Sequence, residues 1–172
     1  MTLLRSHGPP LRLRAHNLLC LQGFRGRGYD AAFVAEMTAV HRQLAADPDT
    51  PVEVVARPDR LCSACPHLAS GGCTLGGPQH EAHMRAQDHE VLRRLWLQDG
   101  EVLPWSKVLE RIARSVRGSD LPGLCTTCPW LSLGWCAEGV ERLRAPGTAA
   151  GASEGSADGS GPCGTPPPAG GA

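Results

Sequence analysis

The sequence lacks several features that mark common functional classes. Its 17 basic and 17 acidic residues give no formal net charge, which argues against nucleic-acid binding driven by bulk charge. No apolar run approaches the roughly 20 residues needed to cross a bilayer, so no membrane association is expected. Aromatic residues make up only 4% of the 172 residues, so Leu, Val and Ala have to form most of the core. The N-terminal apolar stretch is too short for a signal peptide, and a cytoplasmic protein is expected.

Sequence signatures of common enzymes are also missing. No nucleophile elbow and no H-E-x2-H motif occurs. The loop Gly23–Gly28 follows a predicted helix rather than a strand, so it lacks the setting of a phosphate-binding loop. The sequence therefore identifies no active site. A metal cluster with an open coordination position is the one enzymatic candidate.

Composition divides the chain into three parts. Residues 1–10 are predicted to be an N-terminal extension, 11–144 a cysteine-rich domain, and 145–172 a tail rich in Gly, Pro and Ala. The tail contains no Leu, Ile, Val or aromatic residue, so it cannot bury enough apolar surface to offset its chain entropy. It is predicted to be disordered, and Cys163 within it is expected to have no role.

A repeat inside the domain is the strongest feature of the sequence. Leu61–Cys73 and Leu124–Cys136 agree at seven of 13 positions at a fixed offset of 63, where chance agreement would be roughly one position. Each copy reads C-x2-C-P-x-L-x2-G-x-C. These segments are named the first and second cysteine loops. Their cysteines are Cys62, Cys65 and Cys73 in the first loop, and Cys125, Cys128 and Cys136 in the second.

The spacing within each loop is typical of metal ligands. Two residues between thiolates let the chain turn back so that both sulfurs face one ion or cluster. The third cysteine can return to the same site after a glycine-assisted turn. With Cys20 the domain has seven cysteines, an odd number that excludes complete disulfide pairing within it. The sequence thus predicts two cysteine-rich metal-binding loops.

Two ligand arrangements fit the sequence. One loop plus Cys20 supplies the four thiolates of a [4Fe–4S] cluster, and the other loop then needs a histidine, an external ligand or an open iron. Alternatively, two cysteines of each loop form a single four-sulfur site, comprising Cys62, Cys65, Cys125 and Cys128. His16 is a further candidate ligand, since it lies four residues before Cys20 on the same predicted helical face. The alternative role for Cys20 is packing as a small apolar residue.

The remaining histidines are weaker candidates. His80, His83 and His89 fall on the polar half of a predicted helix, where a solvated position is expected. His67 aligns with Trp130 of the second loop. A ligand required in both loops would not be replaced by Trp, so His67 is not predicted to bind metal.

Iron–sulfur and zinc are the two metals to choose between. Zinc accepts four cysteines, or three cysteines and a histidine, at the same spacing. Here Pro66 and Pro129 follow the second cysteine of each loop, and their fixed φ forbids the left-handed backbone that glycine provides in many zinc knuckles. A Cys-Pro step also occurs beside iron–sulfur clusters. The balance favours an iron–sulfur cluster, with zinc as the alternative.

Hydrophobic spacing predicts an α+β fold that is mostly helical with a very small β-sheet. Short strands are expected at Leu11–Arg14 and Val52–Val55, although the second segment could also remain unpaired. Asp30 is a good helix N-cap. The predicted helices cover about 15–24, a segment from 31 to before Pro48, about 79–97, a segment starting at Pro104 or Ser106, and a last segment ending near Arg144.

The residues over about Leu11–Arg144 resemble domain of unknown function 1284, a group of small bacterial and archaeal proteins. The likeness rests on the segment LRLRAHNLLC, on Gly26–Tyr29 and on both cysteine loops. It implies iron–sulfur binding and adds weight to Cys20 as a ligand. Members often have His-His where this chain has His16-Asn17, so no role for that second histidine carries over.

The sequence therefore favours a [4Fe–4S]-binding protein that serves electron transfer or redox sensing, with a redox protein as partner. The alternative is a structural zinc module that presents a surface to a protein or nucleic acid, with Arg25 and Arg27 in its Gly-rich loop. A thiol oxidoreductase using a C-x2-C pair ranks third, because proline follows the pair and a third cysteine lies nearby. Nucleic acid is not the expected partner.

Overall fold

The computed structural model describes residues 8–145, where more than half of the residues are helical. The mostly helical α+β fold with a small sheet is thereby confirmed. Cys163, residues 1–7 of the predicted extension and nearly all of the predicted tail lie outside this range. The helices are α1 (Ala15–Gly23), α2 (Ala31–Ala46), α3 (Arg60–Ser63), α4 (His80–Leu95), α5 (Trp105–Ser115), α6 (Leu121–Leu124) and α7 (Trp135–Arg144). The strands are β1 (Leu11–Arg14), β2 (Pro51–Val55), β3 (Leu68–Ala69), β4 (Gly72–Cys73) and β5 (Glu101–Pro104), and single 3-10 turns cover Gly118–Asp120 and Leu131–Leu133.

The larger sheet has the strand order β1-β2-β5. β1 pairs with β2 in parallel, with Leu11 opposite Val52, and β2 pairs with β5 in antiparallel fashion. Both predicted strands exist and pair with each other, so the alternative of an unpaired Val52–Val55 is wrong. β5 was not predicted, because the short segment Glu101–Pro104 lacks the alternation of apolar and polar residues that marks a strand. Pairing with β2, rather than local sequence, makes this segment a strand.

Helix α2 forms as its sequence predicts. The Asp30 carboxylate accepts a hydrogen bond from the Phe33 N–H at 2.8 Å, which satisfies one of the free donors at the start of the helix. The apolar residues at spacings of four, three and four face the core, where they are at most 8% exposed. They are Phe33, Met37, Val40 and Leu44.

The start of α4 differs from the prediction for its histidines. His80 is buried, with only 8% of its surface exposed, whereas His83 and His89 are exposed as predicted. His80 is enclosed because Gly76 packs against its ring and His83 stacks on it, with ring centroids 5.7 Å apart. This packing across a turn has no signature in helical periodicity.

Helix α1 is held very close to α7. A Cβ atom at Gly139 would lie 2.0 Å from the Gln22 carbonyl oxygen, and one at Gly23 would lie 2.4 Å from the Cys136 nitrogen. Only glycine permits backbones to approach this closely. β1 leads directly into α1, so α1 connects the sheet to the second cysteine loop.

Within residues 8–145, every helix is too short or too polar to span a bilayer.

Candidate functional site

A single cavity of about 130 Å³ gathers the predicted site residues. A water molecule's share of liquid volume is about 30 Å³, so the cavity is several waters in size. All seven cysteines of the described chain have free thiols, and all of them line this cavity. His16 lines it as well. Predicted site residues from three separate stretches of sequence are thus brought to one place.

The side chains are not arranged around one point. Within residues 8–145, no group of three or more His, Cys, Asp or Glu side chains stands where it could hold a single metal ion. The cysteine-rich loops are therefore present in the structure, while metal binding by them stays a prediction.

The same two backbone hydrogen bonds shape both cysteine loops. In the first loop, the Cys65 N–H donates to the Cys62 carbonyl at 2.9 Å and the Leu68 N–H donates to the Cys65 carbonyl at 3.1 Å. The equivalent bonds of the second loop, from 128 to 125 and from 131 to 128, measure 3.1 and 3.2 Å. The shared C-x2-C-P-x-L sequence thus produces the same turn twice.

The loops diverge before their third cysteine. Cys73 lies on β4 and pairs opposite Leu68 in a two-stranded hairpin, and its N–H donates to the Glu81 carboxylate at 2.8 Å. Cys136 is instead the second residue of α7. Gly134, at φ 72°, ends the preceding 3-10 turn and starts that helix. The same spacing therefore places the third thiol on two different kinds of element.

Buried charges support the first loop. The Arg14 side chain is 1% exposed, and its Nε donates to the fully buried Asp88 carboxylate at 2.7 Å. Its two terminal nitrogens donate to Glu81 at 3.0 and 3.1 Å, the carboxylate that also accepts from Cys73. Because each charge has a hydrogen-bonded partner, the cost of burying the group is offset.

Asp59 joins this loop to the start of α1. One carboxylate oxygen accepts from the Cys62 N–H at 2.8 Å, and the other accepts from the Arg14 N–H at 2.7 Å and the Asn17 amide at 2.9 Å. Asp59 thereby caps α3 and fixes the position of Cys62 relative to α1.

His16 has the environment of a metal-binding histidine. Its Nδ1 lies 2.7 Å from the second oxygen of Asp88, and its backbone N–H donates to the same oxygen at 3.1 Å. A carboxylate on Nδ1 holds the ring in the tautomer whose Nε2 can bind a metal. The ring is thus oriented at the cavity wall by a buried acid.

Tyr29 joins the two cysteine loops and was not identified from the sequence. Its ring centroid lies 4.8 Å from that of His67 and 4.6 Å from that of Trp130, the two residues that align in the repeat. Phe33 contacts its third side at 5.1 Å. An aromatic ring is what these aligned positions share, so packing on Tyr29 accounts for His in one loop and Trp in the other. The one feature of the sequence that could have drawn attention to this residue is that Tyr29 is the sole tyrosine of the chain.

Burial holds several thiols of the site in their neutral form. Burial raises the pKa of Cys62 and of Cys125 to about 12 and that of Cys136 to about 11. Binding a metal at neutral pH would therefore release protons from these thiols. Backbone N–H groups partly offset the effect of burial, two of them at the Cys128 sulfur and one, from Gly23, at Cys136.

Two polar side chains at the cavity stand out. The Gln87 amide oxygen is buried and has no hydrogen-bond partner within the described residues. Arg25, at the cavity mouth, pairs with Glu138 and lies over the Trp135 ring, 5.3 Å from its centroid. The predicted Gly-rich loop thus directs one of its two arginines into a contact with α7.

The family comparison identifies related sequences. A family model described as Protein of unknown function (DUF1284) matches residues 28–134, more than half of the chain. The chain belongs to this family. The DUF1284 match includes five loop cysteines and leaves His16, Cys20 and Cys136 outside. No curated protein and no solved structure gives a significant match.

Proposed function

We propose that this DUF1284 protein binds a [4Fe–4S] cluster at the seven-cysteine cavity and uses it in electron transfer or redox sensing. One observation carries the proposal: every cysteine of the described chain is unpaired and lines the same cavity. Seven free thiols that converge on one cavity from separate parts of the chain form a donor set suited to a metal that prefers sulfur ligands.

The donor set fits an iron–sulfur cluster. Thiolates are the usual ligands of such clusters, and the cavity offers more than the four that one cluster needs. Each thiolate of a [4Fe–4S] cluster binds a different iron, so the ligands do not have to converge on one point. The proline after each C-x2-C pair, Pro66 and Pro129, also matches the Cys-Pro step found beside such clusters.

Solvent access and hydrogen bonding favour a redox role. Six of the seven cysteines are only partly buried, so a partner protein can approach the cluster edge. Backbone N–H groups directed at Cys128 and Cys136 are a means of setting the reduction potential of a cluster. The pairing of Arg25 with Glu138 neutralises one of the two arginines on which nucleic-acid binding would depend.

Metal and sulfide analysis of anaerobically purified protein tests the proposal. The expected result is brown protein that contains iron and acid-labile sulfide in equal amounts and has a broad visible absorption. Cys128→Ala should lower the iron content of the protein. Cys163→Ala is the matched control, since Cys163 belongs to neither cysteine loop in the sequence, and the iron content of this variant should equal that of the unmodified protein.

Two results would overturn the proposal. Colourless protein with stoichiometric zinc would identify the structural zinc module instead. Metal-free protein whose C-x2-C pairs exchange disulfides with a thioredoxin-type substrate would identify a thiol oxidoreductase.

A further inference from the structure

We infer that the cavity holds two metal centres, and that the eight predicted ligands divide between them in two sets of four. The first centre is formed by His16, Cys62, Cys65 and Cys73, and the second by Cys20, Cys125, Cys128 and Cys136. This inference rests on the proposed function and deepens it, because it assigns every ligand to a centre and identifies a histidine-ligated cluster. The sequence alone left both this arrangement and a single shared site open.

Helix α1 carries one candidate ligand of each set. His16 is in the first turn of α1 and Cys20 is one turn further on, a rise of about 6 Å along the axis. Both side chains point to the same face of the helix, and both line the cavity. The two candidate ligands of α1 therefore lie one helical turn apart on the cavity wall.

The start of α1 belongs with the first loop. Asp59 accepts hydrogen bonds from Cys62 and from the flanking residues Arg14 and Asn17, so Cys62 is tied to the turn that carries His16. Cys73 is tied to the same turn through Glu81, which binds both the Cys73 N–H and the Arg14 guanidinium. These bonds place both ends of the first loop beside His16.

The end of α1 belongs with the second loop. Gly23 packs directly on the backbone of Cys136, and its N–H hydrogen-bonds to the Cys136 sulfur. Cys20 lies within one turn of Gly23.

Tyr29 stands between the two sets. Its ring contacts the residue two positions after the second cysteine of each loop, His67 and Trp130. An aromatic ring that packs on the C-x2-C turn of each loop therefore lies between the two loops.

Asp88 completes the case for a histidine-ligated centre. The first loop has three thiols, and a [4Fe–4S] cluster needs four ligands. The Nε2 of His16 supplies the fourth ligand, because the Nδ1 of the ring is held by Asp88 at 2.7 Å. A single shared cluster would leave three thiols and this oriented imidazole unused in the cavity.

Iron counting on matched variants tests the division. The full-length chain is reconstituted anaerobically with ferrous iron and sulfide, and we expect about eight irons per chain. Cys65→Ala and Cys128→Ala change equivalent positions of the two loops, and each should retain about four. The reduced unmodified protein should show the broadened electron paramagnetic resonance spectrum of two interacting clusters, and each variant a simple spectrum.

The histidine is tested by its nitrogen. In Cys128→Ala, which keeps only the first centre, pulsed electron paramagnetic resonance should detect a coordinated imidazole nitrogen. The additional change His16→Cys should abolish that nitrogen signal while about four irons remain, which a merely structural role for His16 would not produce.

The outcomes separate this inference from the proposed function. About four irons in the unmodified protein, lost completely in both Cys65→Ala and Cys128→Ala, would overturn the two-centre division and leave the iron–sulfur proposal standing. Two clusters without a nitrogen signal would overturn the assignment of His16. Protein that takes up neither iron nor sulfide would overturn the proposed function itself, and the division with it.

Discussion

The two cysteine loops share seven of 13 residues and the same pair of backbone hydrogen bonds, yet they are supported in opposite ways. Buried charges hold the first loop, where Asp59 and Glu81 accept from its backbone. Close backbone packing holds the second loop, where glycines of α1 and α7 let the helices touch. A short motif thus determines a local turn, and the surrounding fold determines where its third cysteine lies.

The largest expected effect comes from removing the charge that supports the first loop. Arg14→Met leaves Asp88 and Glu81 without their buried partner, and losing one member of a buried ion pair costs about 3–5 kcal/mol. Denaturant unfolding should show a loss of that size in the free energy of unfolding. The control is Arg12→Met on the same strand, whose pair with Glu53 is largely exposed on the Arg12 side and is worth at most about 1 kcal/mol. Equal losses in the two variants would contradict the buried-charge account.

A smaller effect is expected from the glycine contact behind the second loop. Gly139→Ala places a Cβ atom 2.0 Å from the Gln22 carbonyl oxygen, and α1 and α7 must separate. Overpacking of this kind costs roughly 1–3 kcal/mol, which the gain in helix propensity of about 1 kcal/mol only partly offsets. Gly123→Ala is the control, because a Cβ atom there meets nothing within 4 Å. In thermal unfolding, Gly139→Ala should have a lower midpoint temperature than the unmodified protein, and Gly123→Ala should not. A higher midpoint for Gly139→Ala would show that α1 and α7 are further apart than the structure places them.

The third prediction concerns the packing of Tyr29 on a ring of each cysteine loop. Tyr29→Leu and Trp130→Leu should each destabilise the protein, and the double variant should lose less than their sum, because both remove the same ring contact. The coupling free energy from a double-mutant cycle should be about 0.5–1.5 kcal/mol. The parallel cycle with His67→Leu should also give a coupling, since Tyr29 contacts that ring as well. Additive losses in both cycles would mean that Tyr29 does not connect the loops.

Local sequence predicted the features that depend on local physics. The N-cap of α2 and its buried stripe of apolar residues follow from Asp30 and from helical spacing. The seven cysteines and His16 were identified by spacing, and all of them line the one cavity. Cysteine ligands are recognisable in a sequence because their chemistry restricts both the residue type and the distance between them.

The features that escaped prediction depend on contacts between distant segments. β5 exists because β2 pairs with it, and His80 is buried because Gly76 packs on it. The charge network around Arg14 joins residues 67 and 74 positions apart, a separation at which no spacing rule applies. The proposed division of the thiols between two centres rests on the same kind of contact, which the sequence alone does not supply.

The smallest expected difference between the loops lies in thiol ionisation. Burial raises the pKa of Cys62 and of Cys125 to about 12. The two loops differ in what adds to this effect, which is the Asp59 carboxylate at Cys62 and neighbouring thiols at Cys125. Since the thiolate is the reactive form, alkylation of either residue in folded, metal-free protein should speed up about tenfold per pH unit, or about a hundredfold from pH 8 to pH 10.

The unfolded chain provides the control for this measurement. An ordinary thiol with a pKa of about 8.5 is already partly ionised at pH 8, so its alkylation gains only about fourfold over the same range. Mass spectrometry of peptides containing Cys62 and Cys125 should show the steep dependence of alkylation rate on pH in folded protein and the shallow one in denaturant.

A shallow dependence in folded protein would mean that the reagent reaches the thiols only after local opening. A steep one at Cys125 alone would show that the charged surroundings of the first loop lower the thiol pKa rather than raise it, and the two loops would then differ at their first cysteine as well as their third.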